Sequence, residues 1–170
     1  NALAASAAAI SAGARPWHVA EALAAFRGLR HRLELVARRD DGVTFYNDSI
    51  ATTPESVLCA LASFHGPVTL IAGGSDKGCD FGELGAAIVR KVRRLILLGA
   101  MAARIEDAVV RARARTAGTA GPEIRHVCDL DEAVRAAAEG AARDEVILLS
   151  PACASFDMFR NFEERGQVFK

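Results

Sequence analysis

The 170-residue sequence carries no net charge, because 21 basic residues balance 21 acidic ones. That balance removes the broad electrostatic signature of a nucleic-acid-binding or membrane-surface protein, so recognition has to come from local charge. No C-x-x-C pair occurs. Cys59, Cys79, Cys128 and Cys153 are widely spaced, which suits reduced thiols in a cytoplasmic protein better than a disulfide scaffold or a zinc site. His18, His31, His65 and His126 also lack metal-ligand spacing, and are expected to be solvated or capping. The phosphate loop G-x-x-x-x-G-K-[ST], the dinucleotide loop G-x-G-x-x-G and the nucleophile elbow G-x-S-x-G are all missing. Their absence argues against a self-contained ATPase, a dinucleotide-dependent enzyme and a serine hydrolase. The Ala-rich start, residues 1–14, has no initiating Met and no basic segment and is too short to span a bilayer. It reads as a helix, and the chain as a part excised from something longer.

What the sequence has is alternation. Residues 2–12 favour helix by alanine content, and Pro16 suits the first turn of a second helix running to Arg27, with Gly28 as its stop. Two β-rich runs, 33–36 and 43–46, flank the turn sequence Arg39-Asp40-Asp41-Gly42. A domain boundary is therefore expected near residues 28–32. Beyond it, apolar runs at 68–72, 95–98, 124–127 and 146–149 alternate with helical patterns at 55–64, 81–90, 102–115 and 132–142. The last helix is expected to open on Asp129 or Asp131. Such alternation predicts an α/β, Rossmann-like three-layer domain of about six strands, mostly parallel with one antiparallel hairpin strand. The stretch from Thr116 to Pro122 reads as a surface loop.

Open α/β sheets bind ligands beyond the carboxyl ends of their strands. Asp48, Lys77 and Ser155 each follow a predicted strand, so residues far apart in sequence are expected to converge on one edge. Each also has an ordinary alternative. Gly73-Gly74-Ser75-Asp76-Lys77-Gly78 reads either as a loop that brings backbone and a cation to an anion or as a glycine turn with a solvated lysine. Asp48 and Thr52 precede Pro54 and suit helix capping as well as binding. Ser155 has no histidine near it in sequence, and an apolar strand running into Ser150-Pro151 suggests a helix whose N-terminus holds an anion there. Phe156, Phe159 and Phe162 sit at i, i+3 spacing and suit a helix core. Cys79 and Cys153 flank the expected site, and packing is the simplest role for them.

Four ordered segments carry a resemblance: Leu29-Arg30-His31-Arg32-Leu33-Glu34, Tyr46-Asn47-Asp48-Ser49-Ile50-Ala51-Thr52-Thr53-Pro54, Ala72-Gly73-Gly74-Ser75-Asp76-Lys77, and the stretch from Ile147 through Ser150-Pro151-Ala152-Cys153-Ala154-Ser155 to Gly166. The chain resembles the C-terminal part of the D-glutamate-adding members of the Mur ligase family. These activate a carboxylate of a UDP-N-acetylmuramoyl-L-alanine acceptor with ATP and Mg²⁺ to an acyl phosphate, which the D-glutamate amine attacks. The resemblance implies that residues 1–28 are a helical remnant of the central ATPase domain and that 29–170 form the glutamate-binding domain. It implies D-glutamate contacts from Thr52, Lys77, Ser155, Phe156 and Phe162, and ATP contacts from Asn1, Arg32 and Asp48. Catalytic and metal-binding residues, including a modified lysine, would lie on the central domain, so this chain alone is expected not to turn over. One departure is Ile50, where some members carry Lys. Another is that the tail ends at Lys170, short of the usual terminal helix. The rival readings are a non-catalytic nucleotide-binding module and a Mur or folylpolyglutamate ligase with a different amino-acid substrate, although Ser-Pro-Ala-Cys-Ala-Ser favours glutamate.

Overall fold

A computed structural model describes residues 1–116 and 120–170. Part of the loop expected between Thr116 and Pro122, residues 117–119, lies outside the described residues. Helix α1 (Ala2–Ser11) and helix α2 (Pro16–Ala25) pair with each other, and neither contains a buried residue. Pro16 occupies the first turn of α2, where its missing N–H has no helical partner to lose. The helix stops at Ala25, before Arg27, because Phe26 turns to an extended conformation.

After the connecting residues 26–33, strands β1 (Glu34–Arg38) and β2 (Thr44–Asn47) form the antiparallel hairpin. Its turn is closed by Arg39 N–H on Val43 O at 2.8 Å and Gly42 N–H on Arg39 O at 3.0 Å. The chain then alternates through α3 (Pro54–Ala62), β3 (Val68–Ala72), α4 (Gly82–Lys91), β4 (Val92–Leu97), α5 (Ala102–Ala114), β5 (Glu123–His126), α6 (Leu130–Glu139), β6 (Val146–Leu149) and α7 (Phe162–Val168). The six strands lie in the order β1-β2-β6-β3-β4-β5, with only the β1–β2 pair antiparallel.

Two apolar clusters explain the layers. Leu70, Leu95, Leu97 and Leu148 point to one face, where Val57, Leu84, Ile88 and Ile105 of α3, α4 and α5 cover them. Ile71, Ile96, Ile147 and Leu149 point to the other, against Leu130, Ala133 and Ala137 of α6 and Phe169 beside α7. Successive residues of a strand face opposite ways, so β3 and β6 are apolar on both faces except at Thr69, whose hydroxyl donates to the buried Glu145 at 2.6 Å. The fold class is the one the alternation predicts. β3 runs outward to β4 and β5, whereas β6 returns to the other side of β3. The loops after β3 and β6 lead to helices on opposite faces, which opens a crevice between them.

Two expectations need correction. Strand β4 begins at Val92 rather than Leu95, directly behind α4. Its basic start hid it: Arg93 pairs with the buried Glu145, and the buried Arg94 donates to Ala136 O at 3.0 Å. The larger correction concerns the end of the chain. Strand β6 does not empty into a helix: residues 150–161 are irregular, and Ala152 adopts a left-handed φ of 60°. The chain doubles back so that Ala154 bridges Ser75. Helix α7 opens only behind Asn161, whose side chain accepts from Glu164 N–H at 2.8 Å. Ser155 therefore sits at no helix N-terminus, and the i, i+3 phenylalanines share no helix.

Candidate functional site

Three loops meet at the carboxyl edge of the adjacent strands β2, β6 and β3: residues 48–53, 150–161 and 73–81. Backbone bonds join them. Gly73 N–H donates to Pro151 O at 2.8 Å, Ser75 N–H to Ala154 O at 2.9 Å and Ala152 N–H to Ala51 O at 3.0 Å. The approach at Gly74 is so close that a Cβ there would lie 2.2 Å from Ala154 O, and its φ of 144° also excludes ordinary side chains.

On this frame the structure brings Thr52, Lys77 and Ser155 into neighbouring loops. Lys77 Nζ donates to Thr52 Oγ1 at 3.4 Å, which joins the β2 and β3 loops through side chains as well. Thr52 is not the cap of α3; Thr53 holds that position. Ser155 is buried, and the only buried side-chain polar atom without a partner among the described residues is the hydroxyl of Ser75, in the loop that Ala154 bridges. Phe156 is 70% exposed. Phe162 stands apart, edge-on to the His31 ring at 6.1 Å, in the wall of a second, open groove with Leu29, Arg30 and Gln167. Phe159 packs against the α6-side core. Cys153 is buried and Cys79 half-buried, both against the α3–α5 core. Burial pushes the Cys153 thiol up to about 12, so it stays protonated and unreactive.

Arg32 and Asp48 are brought together in a separate cleft of about 340 Å³, walled also by Leu33, Ile50, Ala51 and Ser56. Asp48 does not cap α3. Its carboxylate accepts from Leu33 N–H at 3.1 Å and from the Ser150 hydroxyl at 2.8 Å. Burial raises its pKa, against the lowering effect of these two bonds and of Arg32. Arg32 itself is exposed. Asn1 is not brought to this cleft; it lies in the groove between α1 and α2 with Ala5, Val19 and Leu23.

The sequence reading missed two residues that hold the loops in place. Arg165, on α7, is buried, and it donates from Nε to Ser49 Oγ at 3.0 Å and from its terminal nitrogens to Ser49 O at 2.9 Å and Cys153 O at 3.1 Å. Burial draws its pKa down to about 10, which leaves it charged at neutral pH. No carboxylate pairs with it among the described residues. His31, expected to be solvated, is 5% exposed; His18, His65 and His126 are exposed, the last paired with Glu106. Asn47 gives its amide hydrogens to Gly166 O at 2.9 Å and to His31 Nδ1 at 3.0 Å, so the ring accepts at Nδ1. Burial, then Lys170, lowers the His31 pKa. A Cβ on Gly166 would meet that nitrogen at 2.1 Å, so only glycine lets the α7 backbone come this close to the ring.

The sheet is that of a doubly wound α/β domain, with hydroxyls and a lysine near its switch point and an arginine–carboxylate cleft beside them. The chain belongs to the Mur ligase family: residues 31–153 match the family model described as Mur ligase, glutamate ligase domain. It is 51% identical over 170 residues to UDP-N-acetylmuramoylalanine--D-glutamate ligase of Symbiobacterium thermophilum, a match covering 100% of this chain and 36% of that protein. It is 48% identical over 157 residues to the ligase of the same name from Aromatoleum aromaticum, covering 92% of this chain and 32% of that one. The chain thus spans about a third of the length of these relatives. Among solved structures, bifunctional folylpolyglutamate synthase/dihydrofolate synthase from Yersinia pestis, complexed with AMPPNP and Mn ion, shares the fold with a TM-score of 0.60 at 16% identity, over 91% of this chain and 33% of that one. No helix among the described residues is long and apolar enough to cross a membrane.

Proposed function

We propose that this chain is the amino-acid-binding domain of a cytoplasmic, ATP-dependent ligase that adds D-glutamate to UDP-N-acetylmuramoyl-L-alanine in peptidoglycan synthesis. The observation that carries the reading is the convergence of Thr52, Lys77 and Ser155 on one edge of adjacent strands, in a chain about half identical to ligases of that name. Lys77 supplies the charge for a substrate carboxylate. Ser155 supplies a donor for a second carboxylate, and Thr52 orients Lys77. The exposed Phe156 contributes backbone and an apolar flank, and Phe162 would reach the same ligand only from the second groove, where its ring stands against His31.

The Arg32–Asp48 cleft fits a nucleotide: an exposed guanidinium suits phosphate oxygens, and a carboxylate held by Ser150 and Leu33 suits a hydroxyl donor. ATP, with its Mg²⁺, supplies the phosphoryl group that activates the acceptor's carboxylate. Residues 1–28, with no buried side chain of their own, belong in this reading to the central domain that carries most ATP and metal contacts, with Asn1 beside the nucleotide. Residues 29–170 close over that domain. This chain's part in the reaction is positioning: holding the D-glutamate amine at the reacting carbon replaces a bimolecular encounter, an effect worth several kcal/mol. Residues 1–170 alone are therefore expected to form no ADP from ATP, D-glutamate and the acceptor.

The test is Lys77→Ala in the full-length enzyme. A lost charge-assisted contact to a carboxylate is worth about 1.5–3 kcal/mol, so the KM for D-glutamate should rise about 10- to 100-fold while that for ATP holds. Unchanged D-glutamate kinetics would remove Lys77 from the site.

A further inference from the structure

The loop that carries Lys77 is gripped from one side by Arg104, in the first turn of α5. The Arg104 guanidinium lies 3.2 Å from Asp76 Oδ2, reaches Cys79 O at 3.5 Å, and stands 5.9 Å from the centroid of the Phe81 ring. The other oxygen of Asp76 accepts from Gly78 N–H at 2.7 Å. Both oxygens of the carboxylate next to Lys77 are therefore committed, one to the turn and one to Arg104.

We propose that Arg104 is a positioning residue for amino-acid binding, which by pairing with Asp76 keeps that carboxylate from neutralising Lys77 and from repelling an incoming carboxylate. The proposal rests on the assignment of Lys77 to the substrate. A purely structural role makes a different forecast. The two side chains are 52% and 47% exposed, and ion pairs that open to water add little to folding, so such a role has no kinetic signature. If Arg104 acts by screening Asp76, removing the Asp76 charge should make Arg104 dispensable.

The experiment compares Arg104→Ala, Asp76→Asn, the double variant and Lys77→Ala in the full-length enzyme, with D-glutamate varied. Asp76→Asn keeps an amide oxygen for Gly78 N–H while discarding the charge. Arg104→Ala should raise the KM for D-glutamate about three- to tenfold, an effect of the size that partly exposed charges exert, with kcat, the KM for ATP and the melting midpoint unchanged. Asp76→Asn alone should resemble the parent, and the double variant should return to within about twofold of it. A double variant as impaired as Arg104→Ala overturns the proposal, as does an unaffected Arg104→Ala beside an impaired Lys77→Ala. An unaffected Lys77→Ala overturns the underlying assignment and the proposal together.

Discussion

Arg165 offers the sharpest test of how the site is held together. Replacing it with Met keeps much of its length and apolar stem while removing three hydrogen bonds, to Ser49 Oγ, Ser49 O and Cys153 O. Bonds from a charged donor contribute about 1.5–3 kcal/mol each, so the gross loss is on the order of 4–9 kcal/mol. Against it stands the dehydration of a guanidinium that no carboxylate compensates, several kcal/mol in a protein interior. One further fact keeps the balance on the side of destabilisation, and a second limits the loss. Ser49 O and Cys153 O lose a donor in a dry region, while Ser49 Oγ retains its own bond to Phe162 O at 2.8 Å. The expected net loss is about 3 kcal/mol, a fall of roughly 6–12 °C in Tm for a domain of this size. Urea unfolding of residues 1–170 followed by circular dichroism measures it directly. Arg165→Lys, with one ammonium for three divergent acceptors, should fall in between. An Arg165→Met chain with the parent's midpoint and slope would show that the three bonds merely offset the cost of burying the charge, and the argument would fail.

Gly74→Ala should destabilise by more than about 1 kcal/mol, since both its φ and the nearby Ala154 O resist a Cβ; an unchanged Tm would refute the close approach. Burial raises the Asp48 pKa above its unfolded 3.8; a carboxyl raised on folding lends stability at pH below 3.8 that is lost as pH climbs through the native value. Asp48→Asn should thus gain on the parent as pH rises from below 3.8 to neutrality, and paired urea midpoints that move in parallel across that range would contradict this. Ser155→Ala in the full-length enzyme should weaken D-glutamate binding by about 1–3 kcal/mol and leave activity measurable at high D-glutamate. Complete inactivity of the folded variant, with a covalent adduct on Ser155 in the parent, would instead assign it a nucleophilic role.

Strands β3 and β6 were legible to the residue because burial on both faces leaves them little freedom: Val68–Ala72 and Val146–Leu149 are apolar but for Thr69. Strand β4 was legible only from Leu95, since its first turns of sequence are arginines whose partners, Glu145 and Ala136 O, lie more than 40 residues away. The 150–161 loop was misread for a related reason. Its small residues and Asp157 look like a helix start, yet Asp157 accepts from Ala100 N–H at 3.0 Å and Ala154 pairs with Ser75. Tertiary bonds took groups that a local reading spends on a cap. Arg165 was hidden most completely, because nothing next to it in sequence distinguishes a buried cation from a solvated one; its partner Ser49 lies 116 residues earlier.

The position of β6 between β2 and β3 has a consequence for biosynthesis. A ribosome delivers the chain from its amino end, so the hairpin and the β3-β4-β5 block emerge as two sheet fragments, each with an open edge facing where β6 belongs. Until residues 146–149 leave the exit tunnel, no strand bridges them, and those edges are templates for pairing with other nascent chains. Among the described strands the last-made is the keystone, and the loop residues 150–161 that follow it can be ordered only after it. A stop codon anywhere before Val146 should therefore yield aggregates rather than a smaller folded domain.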